Sequence, residues 1–318
     1  MFNLVRNEWE KIFRQKSTFI MIGFLILIVF VNAGITKYLE GKERPSGNNW
    51  KQELMAENES LKQESDGVQI MTPSMKEFIH KQVAVNEYRI KNDLPPVSKS
   101  TVWTFINDSA GLIPFAGLFV LIIAAGIVAN EFSWGTIKVL LVKPYKRWKI
   151  LLSKYIAVNL FLLLMLIVLF VFSGIAGAVL FGTGEAAANV HLAYVNGRVE
   201  EQSLFLYLIK SYAFSSLSIF LLVAMAFMIS AVFRSSALAI GLSVFLLFTG
   251  GTITNLLASK FEWAKYSLFA NTNLMQYVDG LPMVESMTMK FSVIILLIYF
   301  SLFHISAFAF FTRRDIAA

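Results

Sequence analysis

Apolar residues fall into six long runs, and nearly all of the charge lies between them. The runs cover Thr18–Ile35, Thr104–Ala129, Leu151–Phe181, Ser211–Val232, Ser236–Leu257 and Phe291–Phe311. A helix needs about 20 mostly apolar residues to cross a hydrocarbon core of about 30 Å. Lipid offers no partner to an unpaired backbone group, so each run predicts a membrane-crossing helix rather than an open strand. The third run is longer than a crossing needs, which predicts tilt or extension beyond the membrane. Arg234–Ser236 predicts a tight turn, because the fourth and fifth runs together are too long for one span. The tryptophans fit these boundaries: Trp103, Trp134, Trp148 and Trp263 lie near run ends, Trp9 precedes the first run, and Trp50 lies between runs. Indole favours the headgroup level, where its body is in an apolar layer and its N–H is wet.

The segments between the runs carry their own patterns. In residues 1–17, Phe2, Leu4, Val5, Trp9, Ile12 and Phe13 alternate with Arg6, Glu10, Lys11 and Arg14 at near-helical spacing, predicting an amphipathic helix in the membrane interface. That segment contains Glu8 and Glu10 and leads into a full-length run without a small-residue cleavage site, unlike a cleavable signal peptide. Residues 36–103 predict a helical hairpin. Its first arm is polar and rich in helix formers; its second opens at Pro73-Ser74, ends at Pro95-Pro96, and carries Phe78, Ile79, Val83, Val85, Tyr88 and Ile90 toward one side. The remaining connections are 130–150, 182–210, 258–290 and a tail at 312–318. The predicted fold is thus all-α: a polytopic membrane protein with six spans, an N-terminal interfacial helix and a large helical extracellular loop.

Composition agrees. The 318 residues are 56% hydrophobic and 15% charged, against about 25% charged in an ordinary soluble domain. The net charge of +7 could by itself indicate nucleic acid or anionic lipid. The positions of the charges decide for lipid. With the N-terminus inside, one side holds Arg6, Lys11, Arg14, Lys16, Lys138, Lys143, Lys146, Arg147, Lys149, Lys154, Arg234, Arg313 and Arg314; the other has Arg198, Lys260 and Lys265, with Lys210 and Lys290 at span edges. Positive charge in short loops marks the cytoplasmic side, whereas a long, nearly neutral loop such as 36–103 is passive. Both termini are therefore expected in the cytoplasm, with the chain in the cell membrane. The absence of cysteine excludes disulfides, zinc-thiolate sites and cysteine nucleophiles.

Catalytic and ion-coupling motifs are sparse. There is no G-x-x-x-x-G-K-[ST] phosphate loop and no H-E-x-x-H. His80, His191 and His304 are far apart in sequence; His304, within the sixth run, is expected to be neutral and hydrogen-bonded to a neighbouring helix. No carboxylate lies mid-span, as an ion-coupled carrier usually requires. Pro114 could kink the second span, and Gly174, Gly177, Ala237 and Gly241 are small enough to let helices approach closely.

The basic connection NEFSWGTIKVLLVKPYKRWKILLSK, Asn130 to Lys154, has an ordered pattern. Gly135 permits a sharp exit from the second span. Thr136 or Ser133 can cap a short helix bearing Leu140 and Leu141, which Pro144 ends. Arg147 and Lys154 then lead into the third span. Glu131, Gly135-Thr136, Leu140-Leu141, Pro144, Arg147 and Lys154 resemble the cytoplasmic loop of ABC type-2 exporter permeases, roughly E-x-x-x-G-T, paired leucines, P-x-x-R and a Lys opening the next span. Ser133 and Ser153 depart from that pattern. The resemblance implies a non-enzymatic permease subunit whose 130–150 loop couples it to a separate cytoplasmic ATPase dimer. ATP would be bound there, leaving this chain no cofactor of its own. It also implies a second permease copy or a similar permease, contact with membrane lipids, no nucleic acid, and export of an amphiphile such as a peptide antibiotic or lipid-like compound. An ion-coupled transporter and a sensor acting through the outer loop are the competing expectations.

Overall fold

The protein, represented by a computed structural model, is described over residues 1–42, 49–67, 72–96, 100–137, 145–182, 190–195, 197–233, 235–279 and 281–313. All six predicted spans are helices, each longer than its apolar run. After α1 (Phe2–Arg14) comes α2 (Lys16–Glu40), the first span. The second is built from α5 (Val102–Ser109), a 3-10 turn at Ala110–Leu112 and α6 (Ile113–Ser133). The third is α7 (Arg147–Leu180), the fourth α8 (Leu204–Phe233), the fifth α9 (Ser236–Ala258) and the sixth α12 (Met289–Arg313). The 34 residues of α7 reach about 51 Å at 1.5 Å per residue, so this helix does extend beyond a single crossing. Pro114 lies in the first turn of α6, just after the 3-10 turn. The irregularity thus precedes the proline, whose missing N–H costs nothing in a first helical turn.

The second and fourth spans form the centre: 61% of the most apolar window of each is buried, against 22% for α2 and α9 and 11% for α12. Apolar surface gains nothing by moving from lipid to protein, so close packing and polar contacts hold such helices together. On α6, Ala116, Gly117, Val120, Ala124, Ala125 and Ala129 are fully or almost fully buried, and they bring its backbone against α8. A Cβ on Gly117 would lie 2.6 Å from Ile219. Polar contacts add to this. The Ala129 N–H donates to Ser230 Oγ at 3.0 Å, and Tyr212 Oη donates to the Ile106 carbonyl at 2.9 Å.

The small residues named from the sequence divide into two groups. Gly177 of α7 meets α5 so closely that a Cβ would stand 3.0 Å from the Val102 Cα; Gly174 beside it is in ordinary contact with Ile106. Ala237 and Gly241 of α9 are exposed instead, and a Cβ on Gly241 would meet nothing within 4 Å. Their spacing marks no helix contact among the described residues.

At the end of the bundle away from α1, α3 (Trp50–Gly67) and α4 (Pro73–Lys91) form the expected hairpin. Leu54 and Asn58 of α3 and Ile79 and Val83 of α4 are buried. Asn86 donates to Asn58 at 2.9 Å, and the Lys62–Glu87 pair stands at 3.0 Å. Thr72 caps α4 by accepting the Met75 N–H. The connection expected over 182–210 departs from a plain loop. It holds an antiparallel hairpin of β1 (Val190–Val195) and β2 (Arg198–Ser203), with Val190 opposite Ser203 and Val195 opposite Arg198. Period-2 alternation in VHLAYV is too short to stand out beside spans of more than twenty apolar residues. Tyr88 Oη donates to Glu201 at 3.2 Å, tying this hairpin to α4. The 258–290 connection contains a 3-10 turn at Glu262–Tyr266 and two four-residue helices, α10 (Leu268–Asn271) and α11 (Gln276–Asp279).

Candidate functional site

The most concentrated chemistry lies where α1, the end of α6 and the start of α7 meet. Within α1, Glu8 and Ile12 are one helical turn apart and share a stripe, and both are buried. Glu8 is therefore carried inward by the same face that buries Ile12, while Arg6 and Glu10 pair on the outside at 2.9 Å. Gln15 breaks the helix with extended backbone, and the Thr18 hydroxyl bonds back to the Ile12 carbonyl, so α1 turns at a set angle into α2. Phe13 wedges between Phe19 and Phe161 and seats α1 against α7.

Lys154 is wholly buried and donates to Glu8 Oε2 at 2.7 Å and to Glu131 Oε1 at 2.6 Å. Lys11 closes the ring, with Glu8 Oε1 at 2.9 Å and Glu131 Oε1 at 3.1 Å. Two carboxylates and two ammonium groups thus alternate and cancel formally. Glu131 lies in the last turn of α6, where the helix dipole disfavours a carboxylate; the two lysines offset that. Burial by itself would raise the Glu8 carboxyl, but Lys154 and then Lys11 hold it below the ordinary 4.5. Burial likewise opposes the charge on Lys11, but Glu8 and Glu131 raise it above 10.5. A cavity of about 230 Å³ lies beside the ring, lined by Glu8, Lys11, Gln15, Asn130, Glu131 and Trp134 among others.

The pH dependence follows from these directions. The stabilisation from Glu8 is fully present above its unfolded value near 4.5 and is lost as pH falls through the lower folded value. That from Lys11 is fully present below 10.5 and is lost as pH rises through the higher folded value. The difference in unfolding midpoint between wild type and Glu8→Gln in detergent should be constant through neutral pH and shrink as the medium becomes more acidic than that carboxylate value.

Of the residues singled out in the 130–154 segment, the structure brings together Glu131 and Lys154. Gly135 adopts a left-handed backbone, φ +70, and its N–H reaches the Phe132 carbonyl at 3.2 Å, as expected for a sharp exit from the span. The short helix that Thr136 or Ser133 is expected to cap lies largely outside the described residues. Ser133 Oγ donates backward to the Ala129 carbonyl at 3.1 Å, and Thr136 Oγ1 toward the Glu131 carbonyl at 3.4 Å. Both hydroxyl protons thus return to carbonyls of the last turns of α6, the local back-bonding open to Ser and Thr. Arg147 begins α7 and donates to the Thr312 carbonyl in the last turn of α12 at 3.4 Å, away from the ring. Leu140, Leu141 and Pro144 lie outside the described residues. His304 bonds to the Phe300 carbonyl of its own helix at 2.8 Å, not to a neighbouring helix, and stands edge-to-face with Tyr155.

Six helices long and apolar enough to cross a membrane define a multi-pass membrane protein. The chain belongs to the family described as "Protein of unknown function (DUF2705)", whose model matches residues 71–317. It is 48% identical over 318 residues, the full length of both chains, to "Uncharacterized protein YhcI" of Bacillus subtilis (strain 168). It is also 30% identical over 199 residues, 62% of this chain and 76% of the other, to "Uncharacterized membrane protein YdbK" of the same organism. These matches overturn the family assignment drawn from the loop. That resemblance rested on a short segment, and two of its polar members, Glu131 and Lys154, are accounted for by a charge ring inside this chain.

Proposed function

We propose that this chain is the membrane-spanning, non-enzymatic subunit of an exporter powered by a separate cytoplasmic ATPase of the ABC kind, moving an amphiphilic compound such as a peptide antibiotic or lipid-like molecule. Two copies, or this chain with a similar one, form the path, and both termini face the cytoplasm in the cell membrane. The observation that carries this reading is the charge ring at the base of the 134–146 connection. Glu131 and Lys154 flank that connection, and Glu8 joins them to the interfacial helix. A push on the connection is thereby passed to α1, α6 and α7 together. The basic residues gathered on that end, and a sequence without a phosphate-binding loop, support an inner face that takes its energy from a companion.

The test is co-purification with the ATPase encoded beside this chain, followed by Leu140→Glu with Leu141→Glu. Retained thermal stability with loss of the companion and at least tenfold less ATP-dependent export is the expected outcome, equivalent to about 1.4 kcal/mol or more. Export driven by an ion gradient alone, with no companion retained, would remove the proposal.

A further inference from the structure

A cavity of about 710 Å³ lies outside the charge ring at the opposite end of the bundle. It is walled by α4, β1, the first turns of α8, and Tyr277, Val278 and Met289. Its charge is one-sided. Arg89 is half-buried, and among the described residues its side chain makes one hydrogen bond, a long one of 3.4 Å to the Pro95 carbonyl. Lys210 stands exposed on the α8 wall, its ammonium over the Phe214 ring at 5.7 Å. Among the described residues neither cation has a carboxylate within ion-pair distance, whereas Lys81 on the same wall is paired with Glu77 at 3.0 Å. Among the described residues Glu57 on α3 is the one acid lining the cavity. A cation taken partly out of water without a counter-charge is disfavoured, and burial accordingly lowers Arg89. His191 lies flat against Tyr207, ring centroids 3.6 Å apart. Burial, followed by the charges of Arg89 and Lys210, lowers its pKa, so the ring is neutral at pH 7 and adds donor capacity without repulsion.

The remaining lining is aromatic and aliphatic: Phe78, Val85, Tyr207, Phe214 and Tyr277. Tyr207, Lys210 and Phe214 belong to the N-terminal part of the fourth span, so the cavity adjoins the start of that apolar helix. A fork of guanidinium donors beside an ammonium suits a phosphate or carboxylate, and an apolar wall continuous with a span suits a hydrocarbon tail. We propose that this cavity binds an amphiphile with an anionic headgroup, Arg89 and Lys210 holding the phosphate or carboxylate and the aromatic wall holding the start of the tail. The site goes beyond the transport reading and does not depend on an ATPase.

Binding can be measured on the purified full chain alone in neutral detergent, by titrating short-chain phosphatidylglycerol, its zwitterionic phosphatidylcholine counterpart, and inorganic phosphate. The anionic lipid should bind at least tenfold more tightly than either of the others. Arg89→Gln with Lys210→Gln should abolish that preference, Arg89→Lys with Lys210→Arg should keep most of it, and Lys62→Gln, outside the cavity, should leave it unchanged. Equal binding of both lipids, binding of inorganic phosphate as tight as that of the lipid, or a preference surviving the double glutamine variant at unaltered thermal stability would each overturn the proposal. Because no companion or transport is involved, loss of this site would leave the exporter reading standing, and the reverse holds too.

Discussion

Lys154→Met is expected to lower the unfolding free energy by about 3–5 kcal/mol, the cost of leaving a buried charge without its partner. Lys154 has no exposed surface and stands within 2.7 Å of two carboxylates. With it gone, Glu8 and Glu131 share only Lys11, which is half exposed and more distant from Glu131 at 3.1 Å. One negative charge is then unbalanced in a region that water barely reaches. The second substitution distinguishes charge balance from lost packing. Adding Glu131→Gln to Lys154→Met leaves the Glu8–Lys11 pair at 2.9 Å and no excess charge. The double variant should therefore be more stable than Lys154→Met alone, with a coupling energy of about 2 kcal/mol between the two positions. Thermal or denaturant unfolding of the four proteins of the cycle in one detergent gives that number. Additive losses would mean that the ring contributes packing only.

The spans were legible because each is a run of one chemical character, longer than any other element in the chain. Their ends were less so. Helices continue past the apolar run wherever polar residues have solvent and a partner, as in α2, which runs on to Glu40, whose carboxylate receives the Ser100 N–H. The α3–α4 hairpin could be read from helix formers and from prolines at its borders, whereas the β-hairpin over Val190–Ser203 is held by pairing and by α4, which local pattern does not encode. In the charge ring, Glu131 and Lys154 stood out as lone charges at span edges. Glu8 and Lys11 did not, because they sit among other charges in an amphipathic segment. A signal was present: Glu8 shares the stripe of Ile12, which places a carboxylate on the buried side of the helix. Only the fold could show that the lysine answering it stands 146 residues further along the chain.

Freeing α1 from the ring should separate binding of an energy-supplying companion from its effect. In Glu8→Gln with Lys11→Gln, the Lys154–Glu131 contact at 2.6 Å remains, and so does the seating of Phe13 against Phe161. One charge of each sign is removed, so the core keeps its formal balance, and the unfolding free energy should fall by less than in Lys154→Met. The 134–146 connection is unaltered and should still hold the ATPase in co-purification. What is lost is the ionic link that makes α1 follow the junction of α6 and α7. If that junction transmits motion, as proposed, export should drop at least tenfold while ATP hydrolysis by the retained companion continues, the signature of uncoupling. Reconstituted vesicles assayed for both activities measure the ratio directly. Undiminished export by this variant would reduce the ring to a structural clamp, because two helices joined by Lys154 and Glu131 alone would then suffice for the stroke. A parallel fall in hydrolysis and export would place the defect in companion binding, and the connection rather than the ring would be the element that matters.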